Sequence, residues 1–186
     1  MKNALILHGT SADPHSNWFD WLKEKLENNG YKVWVPQLPN AKSPNMEAYR
    51  KFIFDSDWKF DEDSTIIGHS SGAVTVLSLL EAMPENTLID TAVMVGVYRP
   101  EEASYSVGGA IDIEKVKGKA KRFVFVHSDN DPYCPLEHAK YFADKLNGEL
   151  IVIPGQDHFS YELNPIHYKL PELLDILYLN DTGVKS

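Results

Sequence analysis

The chain has 186 residues, a formal net charge of −9 and a pI near 5.2, and 43% of its residues are hydrophobic. This length is sufficient for one domain with a sizeable core, which we expect at residues 1–180, followed by a flexible tail at residues 181–186. The acidic balance argues against a nucleic-acid partner, because phosphate backbones attract basic surfaces.

The sequence also carries information about membranes and redox compartment. No apolar run approaches the ~20 residues that a transmembrane helix needs, so no membrane partner is predicted. The first residues lead directly into a strand pattern, without the apolar segment of a signal peptide, and Cys134 is the only cysteine. These features predict a cytoplasmic protein that has no intrachain disulfide and no metal site built on several thiolates.

Short apolar runs alternate with amphipathic stretches along the chain. The predicted strands are residues 4–7, 31–35, 64–69, 91–96, 122–127 and 149–153. The predicted helices are residues 17–28, 45–55, 73–80, 135–146 and 163–179, the last one interrupted around two prolines. This alternation predicts an α/β fold of about six parallel strands with helices on both faces. In such sheets, ligands bind beyond the carboxyl ends of the strands, near the point where strand order reverses.

Residues 97–110 form the least regular stretch of the chain and contain Tyr98, Pro100 and Tyr105. They follow the carboxyl end of the fourth predicted strand, so they are a candidate wall of a site at that end of the sheet. The stretch is too short for a lid, and we therefore expect no cap domain.

The sequence Gly68-His69-Ser70-Ser71-Gly72 stands between the third predicted strand and a helix. The pattern G-x-S-x-G in this setting indicates a nucleophile elbow, which lifts the serine hydroxyl above the strand ends on a strained turn. Only small residues fit two places either side of the serine, which accounts for Gly68 and Gly72. The alternative is an ordinary tight turn in which Ser70 or Ser71 serves as the helix N-cap.

A serine hydroxyl needs a base to take its proton and an acid to hold that base in the correct tautomer. Elbow-containing hydrolases supply the three in the order Ser, Asp or Glu, His. His158 follows the sixth predicted strand directly and is the candidate base. Asp131 is the favoured acid because Pro132 restrains its backbone, while Asp129 remains the alternative. Asp157, which adjoins His158, is expected to point the wrong way.

The other histidines receive weaker assignments. His8 and His69 lie near the predicted site, but both precede Ser70 in the chain, whereas the base is expected to follow the nucleophile and the acid. His127 ends a strand, so we expect it to be packed. The remaining three, which carry no functional signal and are expected to be solvated, are His15, His138 and His167.

Attack on a carbonyl builds negative charge on its oxygen, which two backbone N–H groups usually stabilise. One is expected from Ser71, which begins a helix where N–H groups are free. The other is expected from the loop after the first strand, at Gly9 or Thr10.

The segments at residues 7–10, 18–22, 68–72, 128–132 and 155–159 resemble the small, lidless serine hydrolases typified by retinoblastoma-binding protein 9 and the bacterial YdeN-like proteins. The resemblance spans nearly the whole chain. It implies a minimal α/β-hydrolase fold, a catalytic triad of Ser70, Asp131 and His158, and carboxylesterase-like activity on small acyl esters.

The expected function is therefore metal-free and cofactor-free hydrolysis of a small ester or thioester. A protein partner is not predicted. The nearest alternative is an amidase or aminopeptidase that uses the same triad. A non-catalytic module that binds a protein is a second alternative. A phosphate or nucleotide binder is the weakest, because residues 68–72 lack the lysine of a P-loop and the spacing of a dinucleotide fingerprint.

Overall fold

The computed structural model describes residues 1–103 and 108–178, and everything below concerns those residues. It contains six strands: β1 (Asn3–Leu7), β2 (Lys32–Trp34), β3 (Ser64–His69), β4 (Ile89–Val95), β5 (Ala120–His127) and β6 (Glu149–Val152). The helices are α1 (Phe19–Asn28), α2 (Met46–Phe54), α3 (Ser71–Ala82), α4 (Ile113–Val116), α5 (Leu136–Leu146) and α6 (Glu172–Tyr178). The predicted tail and Tyr105 lie outside the described residues.

All six strands pair in parallel, in the order β2-β1-β3-β4-β5-β6. The chain runs from β1 outward to β2 and then returns to the other side of β1 to form β3. Strand order therefore reverses at β1, and Leu7 lies opposite Gly68 in the register of β1 with β3. This reversal places the loop after β1 beside the loop after β3, where α/β sheets bind ligands.

Helices cover both faces of the sheet. Residues of α1 and α6 pack on one face, and residues of α2, α3, α4 and α5 pack on the other. Successive strand residues point to opposite faces, so Leu5 and Leu7 belong to one core cluster and Ala4 and Ile6 to the other. The predicted α/β fold, with about six parallel strands and helices on both faces, is confirmed. In the described part of the chain, no further domain covers the strand ends.

The elements differ from prediction mainly at loops and proline positions. The first helix begins at Phe19 and not at residue 17, because Asn17 has a left-handed backbone (φ 53°) and accepts a hydrogen bond from the Tyr161 N–H. The single helix expected near the C-terminus is a 3₁₀ turn, Pro165–Tyr168, followed by α6. Proline lacks the N–H that a helix interior requires, so the chain breaks there into two pieces.

Among the described residues, the helices are all too short or too polar to cross a lipid bilayer.

Candidate active site

Ser70 occupies a strained turn at the carboxyl end of β3. Its φ of 57° and ψ of −121° lie outside the regions that L-residues ordinarily adopt. The flanking glycines make the turn possible. A Cβ atom at Gly68 would lie 2.3 Å from the Gly72 carbonyl oxygen, and one at Gly72 would lie 2.2 Å from the Leu7 carbonyl oxygen. Neither position tolerates a side chain, which is the geometry of a nucleophile elbow and not of an ordinary N-cap turn.

Asp131 and His158 are in direct contact, although they come from the loops after β5 and β6. Oδ2 of Asp131 lies 2.7 Å from Nδ1 of His158, and the Asp131 side chain is only 1% exposed. Oδ1 of Asp131 accepts hydrogen bonds from the N–H groups of Tyr133 and Cys134, each at 2.9 Å. Burial raises the pKa of Asp131, but the hydrogen bond and charge of His158 and the two N–H donors outweigh burial and leave the pKa below its ordinary value.

Three consecutive residues join the loop of Asp131 to the loop of His158. Oγ of Ser128 accepts from the N–H of Gln156, Oδ1 of Asp129 accepts from the N–H of Gly155, and Oδ1 of Asn130 accepts from the N–H of Asp157. Asn130 also donates to the Asp157 carboxylate at 2.9 Å. Asp129 and Asp157 therefore hold the loops together, and Asp131 is the carboxylate that contacts the histidine.

Gly96, which follows β4, is a site residue that the sequence did not identify. Its φ is +61°, and a Cβ atom there would lie 3.1 Å from Cε1 of His158 and 3.6 Å from Oδ2 of Asp131. The residue must be a glycine both for its backbone and for the space that the imidazole occupies. A glycine at the carboxyl end of a predicted strand was the only signal available in the sequence.

Ser70 and His158 line one cavity of about 910 Å³, together with Gly9, Thr10 and His69. Nδ1 of His158 is engaged by Asp131, so Nε2 is the nitrogen left for the cavity. The hydroxyl of Ser70 makes no hydrogen bond with His158 among the described residues. Serine–histidine contacts of this kind commonly tighten only around a substrate.

His69 holds the backbone of His158 in place. Its Nε2–H donates to the carbonyl oxygen of His158 at 2.7 Å, and the two ring centroids lie 4.8 Å apart. Burial, followed by the neighbouring His158, lowers the pKa of His69 to about 3. The ring is therefore neutral at pH 7. Chain order predicted that His158 and Asp131 would meet, but it gave no sign that the elbow histidine binds the backbone of His158.

His8 fixes the loop that follows β1. Its Nδ1–H donates to the Gly9 carbonyl at 3.0 Å, and its Nε2 accepts the Leu38 N–H at 3.0 Å. Burial lowers the pKa of His8 and outweighs the opposing Gly9 hydrogen bond, which fits a neutral ring that donates with one nitrogen and accepts with the other. The carbonyl and N–H of a trans peptide point in opposite directions, so the Thr10 N–H points away from His8.

The loop after β1 is also tied to the elbow itself. Oγ1 of Thr10 donates to Oγ of Ser71 at 3.1 Å, and a Cβ atom at Gly9 would lie 3.0 Å from the Cβ of Ser70. The three residues expected to supply backbone N–H groups, Gly9, Thr10 and Ser71, thus lie together beside Ser70.

Two of the three histidines expected to be solvated are buried or largely buried. His167 is 1% exposed and donates from Nε2 to the Gln156 carbonyl at 2.9 Å. The His138 side chain is 12% exposed and contacts both the Arg99 N–H and the Glu102 carboxylate. Both contacts join residues distant in the sequence, which local patterns do not report. His15 is exposed as expected, with 78% of its side chain accessible.

His127 is fully buried, as expected, and it braces the loop of Asp131. Its Nε2–H donates to the Cys134 carbonyl at 2.8 Å. Burial lowers the pKa of His127, and the hydrogen bond to Cys134 opposes this effect.

The thiol of Cys134, together with Asp131 and His158, offers ligand atoms within 4.8 Å of one another. Both carboxylate oxygens of Asp131 are already hydrogen-bonded. Burial, and after it the charge of Asp131, raises the pKa of the Cys134 thiol, so the thiol is neutral at pH 7.

Comparison with known proteins gives a consistent result over nearly the full chain. The YdeN hydrolase of Bacillus subtilis (strain 168) is 23% identical over 181 residues, which cover 95% of this chain and 94% of YdeN. Its crystal structure matches with a TM-score of 0.86 and covers 95% of this chain and 97% of that one. The serine hydrolase RBBP9 of Rattus norvegicus is 26% identical over 150 residues, which cover 77% of this chain and 78% of RBBP9.

A structure of Est1E from Butyrivibrio proteoclasticus with ferulic acid bound shares the fold, with a TM-score of 0.69, 16% identity, and coverage of 95% of this chain and 90% of that one. The family model described as serine hydrolase matches residues 4–178. The chain therefore belongs to the serine hydrolase family and has the α/β-hydrolase fold.

Proposed function

We propose that the protein is a carboxylesterase-like hydrolase that cleaves a small ester or thioester through an acyl-enzyme. Ser70 is the nucleophile, His158 the general base and Asp131 the acid that orients it. The observation that carries this proposal is the 2.7 Å contact between Asp131 Oδ2 and His158 Nδ1, which leaves Nε2 for the cavity that Ser70 also lines.

In the first half of the reaction, Ser70 Oγ attacks the carbonyl carbon while His158 takes the hydroxyl proton. The resulting imidazolium is stabilised by the buried Asp131 carboxylate, whose lowered pKa keeps it ionised at neutral pH. The tetrahedral intermediate then collapses, and the proton passes from His158 to the departing alcohol or thiol. Water enters, gives its proton to His158, and releases the acid from Ser70 by the reverse sequence.

The negative oxygen of the intermediate is proposed to lie between the backbone N–H groups of Ser71 and Thr10. Ser71 follows Ser70 in the chain, and Thr10 lines the same cavity as Ser70. The hydrogen bond between the side chains of Thr10 and Ser71 holds these two residues together. Thr10 is preferred over Gly9 because the Gly9 carbonyl is held by His8, which turns the Thr10 N–H the other way. Gly9 allows the close approach of the loop to Ser70. Loss of one such donor typically raises the barrier by about 3 kcal/mol.

Two structural neighbours with the same fold favour ester hydrolysis over the other reactions that a serine nucleophile supports. Est1E, which binds ferulic acid, and the esterase domain of a Rhodothermus marinus protein both share the fold, the latter with a TM-score of 0.65. At 16% and 15% identity these two proteins share only the fold with this chain, and the assignment of ester hydrolysis to this chain is our proposal.

Turnover of p-nitrophenyl acetate and of an amino-acid p-nitroanilide tests the proposal against its amidase alternative. The wild type is expected to cleave the ester faster, and Ser70→Ala is expected to lose at least about 10³-fold in kcat. Ser43→Ala, which changes an exposed serine away from the cavity, is the matched control and should retain full activity. Faster cleavage of the anilide would instead favour an amidase. Absence of turnover with both substrates would favour a binding module.

A further inference from the structure

The lining of the cavity includes accessible aromatic rings. Tyr133, Tyr161 and Tyr168 line the cavity, and they are 61%, 54% and 54% exposed. We call these three residues the cavity tyrosines. The ring of Tyr133 is nearly perpendicular to that of His158, at 87°, with the two ring centroids 5.2 Å apart. Because these rings are exposed and not packed in the core, they can contact a substrate.

Among the described residues that line the cavity, Glu162 is the one side chain of the Asp, Glu, Lys and Arg types. Glu162 is exposed and makes no ion pair among the described residues. The lining contains no lysine or arginine from the described part of the chain. His15, which also lies in the lining, has its Nδ1 atom 3.1 Å from the Asp20 carboxylate. The whole chain carries −9.

One of the cavity tyrosines already attracts a cation. Nζ of Lys169 lies 5.0 Å from the ring centroid of Tyr168. Lys169 is not part of the cavity lining, and its contact leaves Tyr133 and Tyr161 as the rings open to a ligand. Aromatic faces attract ammonium groups through the negative potential of their π electrons, and an adjacent carboxylate adds to that attraction.

We propose that the cavity selects esters that carry a positively charged group, received by Glu162 and the faces of Tyr133 and Tyr161. The inference rests on the hydrolase function proposed above and narrows its substrate class. It also predicts poor turnover of esters and thioesters of strongly anionic carriers, because the lining provides a carboxylate and no basic side chain to receive a phosphate.

Two acetate esters of the same shape test the proposal: acetylcholine and its uncharged carbon isostere, 3,3-dimethylbutyl acetate. We expect kcat/KM for the cationic ester to exceed that for the isostere by about tenfold at low ionic strength, with the ratio falling as salt screens the attraction. Glu162→Gln and Tyr161→Leu should each lower the ratio, whereas Tyr161→Phe, which keeps the ring, should preserve it. Glu85→Gln makes the same charge change at an exposed position outside the lining and should leave the ratio unchanged.

Labelling of Ser70 by a fluorophosphonate probe separates the two proposals. A ratio of one or below, or no turnover of either ester by protein whose Ser70 is labelled, overturns the charge preference while the hydrolase proposal stands. A ratio that Glu162→Gln and Glu85→Gln lower equally also overturns it, since bulk charge would then be the cause. Absence of labelling together with absence of turnover overturns both proposals.

Discussion

The buried imidazole of His69 donates a hydrogen bond to the backbone carbonyl of His158 across 2.7 Å. The elbow therefore carries both the proposed nucleophile, Ser70, and the side chain that holds the proposed base. His69 is neutral at pH 7, so it would not repel the imidazolium that the proposed mechanism forms at His158. The geometry makes His69 a positioning residue that acts through His158.

Replacing His69 should therefore impair catalysis more than binding. His69→Phe removes the donor but keeps a ring, and we expect kcat to fall between about tenfold and a hundredfold with KM changed less than about twofold. His69→Gln, whose amide can reach the same carbonyl, should recover part of the loss. Equal activity of the wild type and both variants would contradict the assignment.

Replacing Asp131 should trap the wrong tautomer of His158. Asp131→Asn places an amide against Nδ1, and we expect kcat to fall on the order of 10³–10⁴-fold, measured with p-nitrophenyl acetate. Asp129→Asn is the matched control, because its amide oxygen can still accept the Gly155 N–H that Asp129 accepts now. The control should lose less than about tenfold. Similar losses in the two variants would point to loop disruption as the cause.

The elbow glycines should tolerate no side chain. Gly72→Ala would bring a Cβ atom within 2.2 Å of the Leu7 carbonyl, where the obstacle is backbone. We expect a loss in the free energy of unfolding of about 3 kcal/mol or more, measured by urea titration. In Gly109→Ala the new Cβ atom would have no atom of the described residues within 4 Å, and the substitution should change stability by less than about 0.5 kcal/mol. A stable, active Gly72→Ala protein would refute the elbow geometry.

Acid should destabilise the protein through its buried histidines. The pKa values of His8, His69, His127 and His167 are all lowered, chiefly by burial. Below pH 6.5, the ordinary histidine pKa, these side chains bind protons in the unfolded chain but stay neutral in the folded chain. The free energy of unfolding is therefore highest above pH 6.5 and decreases as the pH falls. For His69 the loss continues down to about pH 3, at up to about 1.4 kcal/mol for each pH unit.

Urea unfolding at a series of pH values between 7 and 4 measures this loss. The slope of unfolding free energy against pH should be smaller in His69→Gln, because one of the titrating groups is removed. His15→Gln changes an exposed histidine and should leave the slope close to that of the wild type. A stability that does not change across this interval would contradict the assignment of buried neutral rings.

The architecture was largely predictable because it depends on local patterns. The predicted strand at residues 64–69 is confirmed in full by β3, since its apolar run is bounded by an acidic turn and by the elbow. The glycines around Ser70 also signalled their own geometry. The proline-containing segment after residue 163 was predicted less well, because a weak helical pattern there competes with the missing N–H groups of Pro165 and Pro171.

The supports of the site could not be predicted, because they join loops that are distant in the sequence. The hydrogen bonds from Ser128, Asp129 and Asn130 to the loop of His158 span 26 to 28 residues. Likewise, His167 reads as an unremarkable residue of a polar segment, and only the folded chain buries it against the Gln156 carbonyl. A pattern of residue types indicates which chemistry is possible, whereas these contacts depend on how the strands are ordered.

The mass and position of the adduct formed with a fluorophosphonate probe test the assignment of Ser70 and His158 more directly than any other measurement. We expect one adduct per chain, located at Ser70 by peptide mapping, with labelling lost in Ser70→Ala and strongly slowed in His158→Ala. Labelling that persists in Ser70→Ala, or that is equally fast without the imidazole of His158, would contradict this assignment.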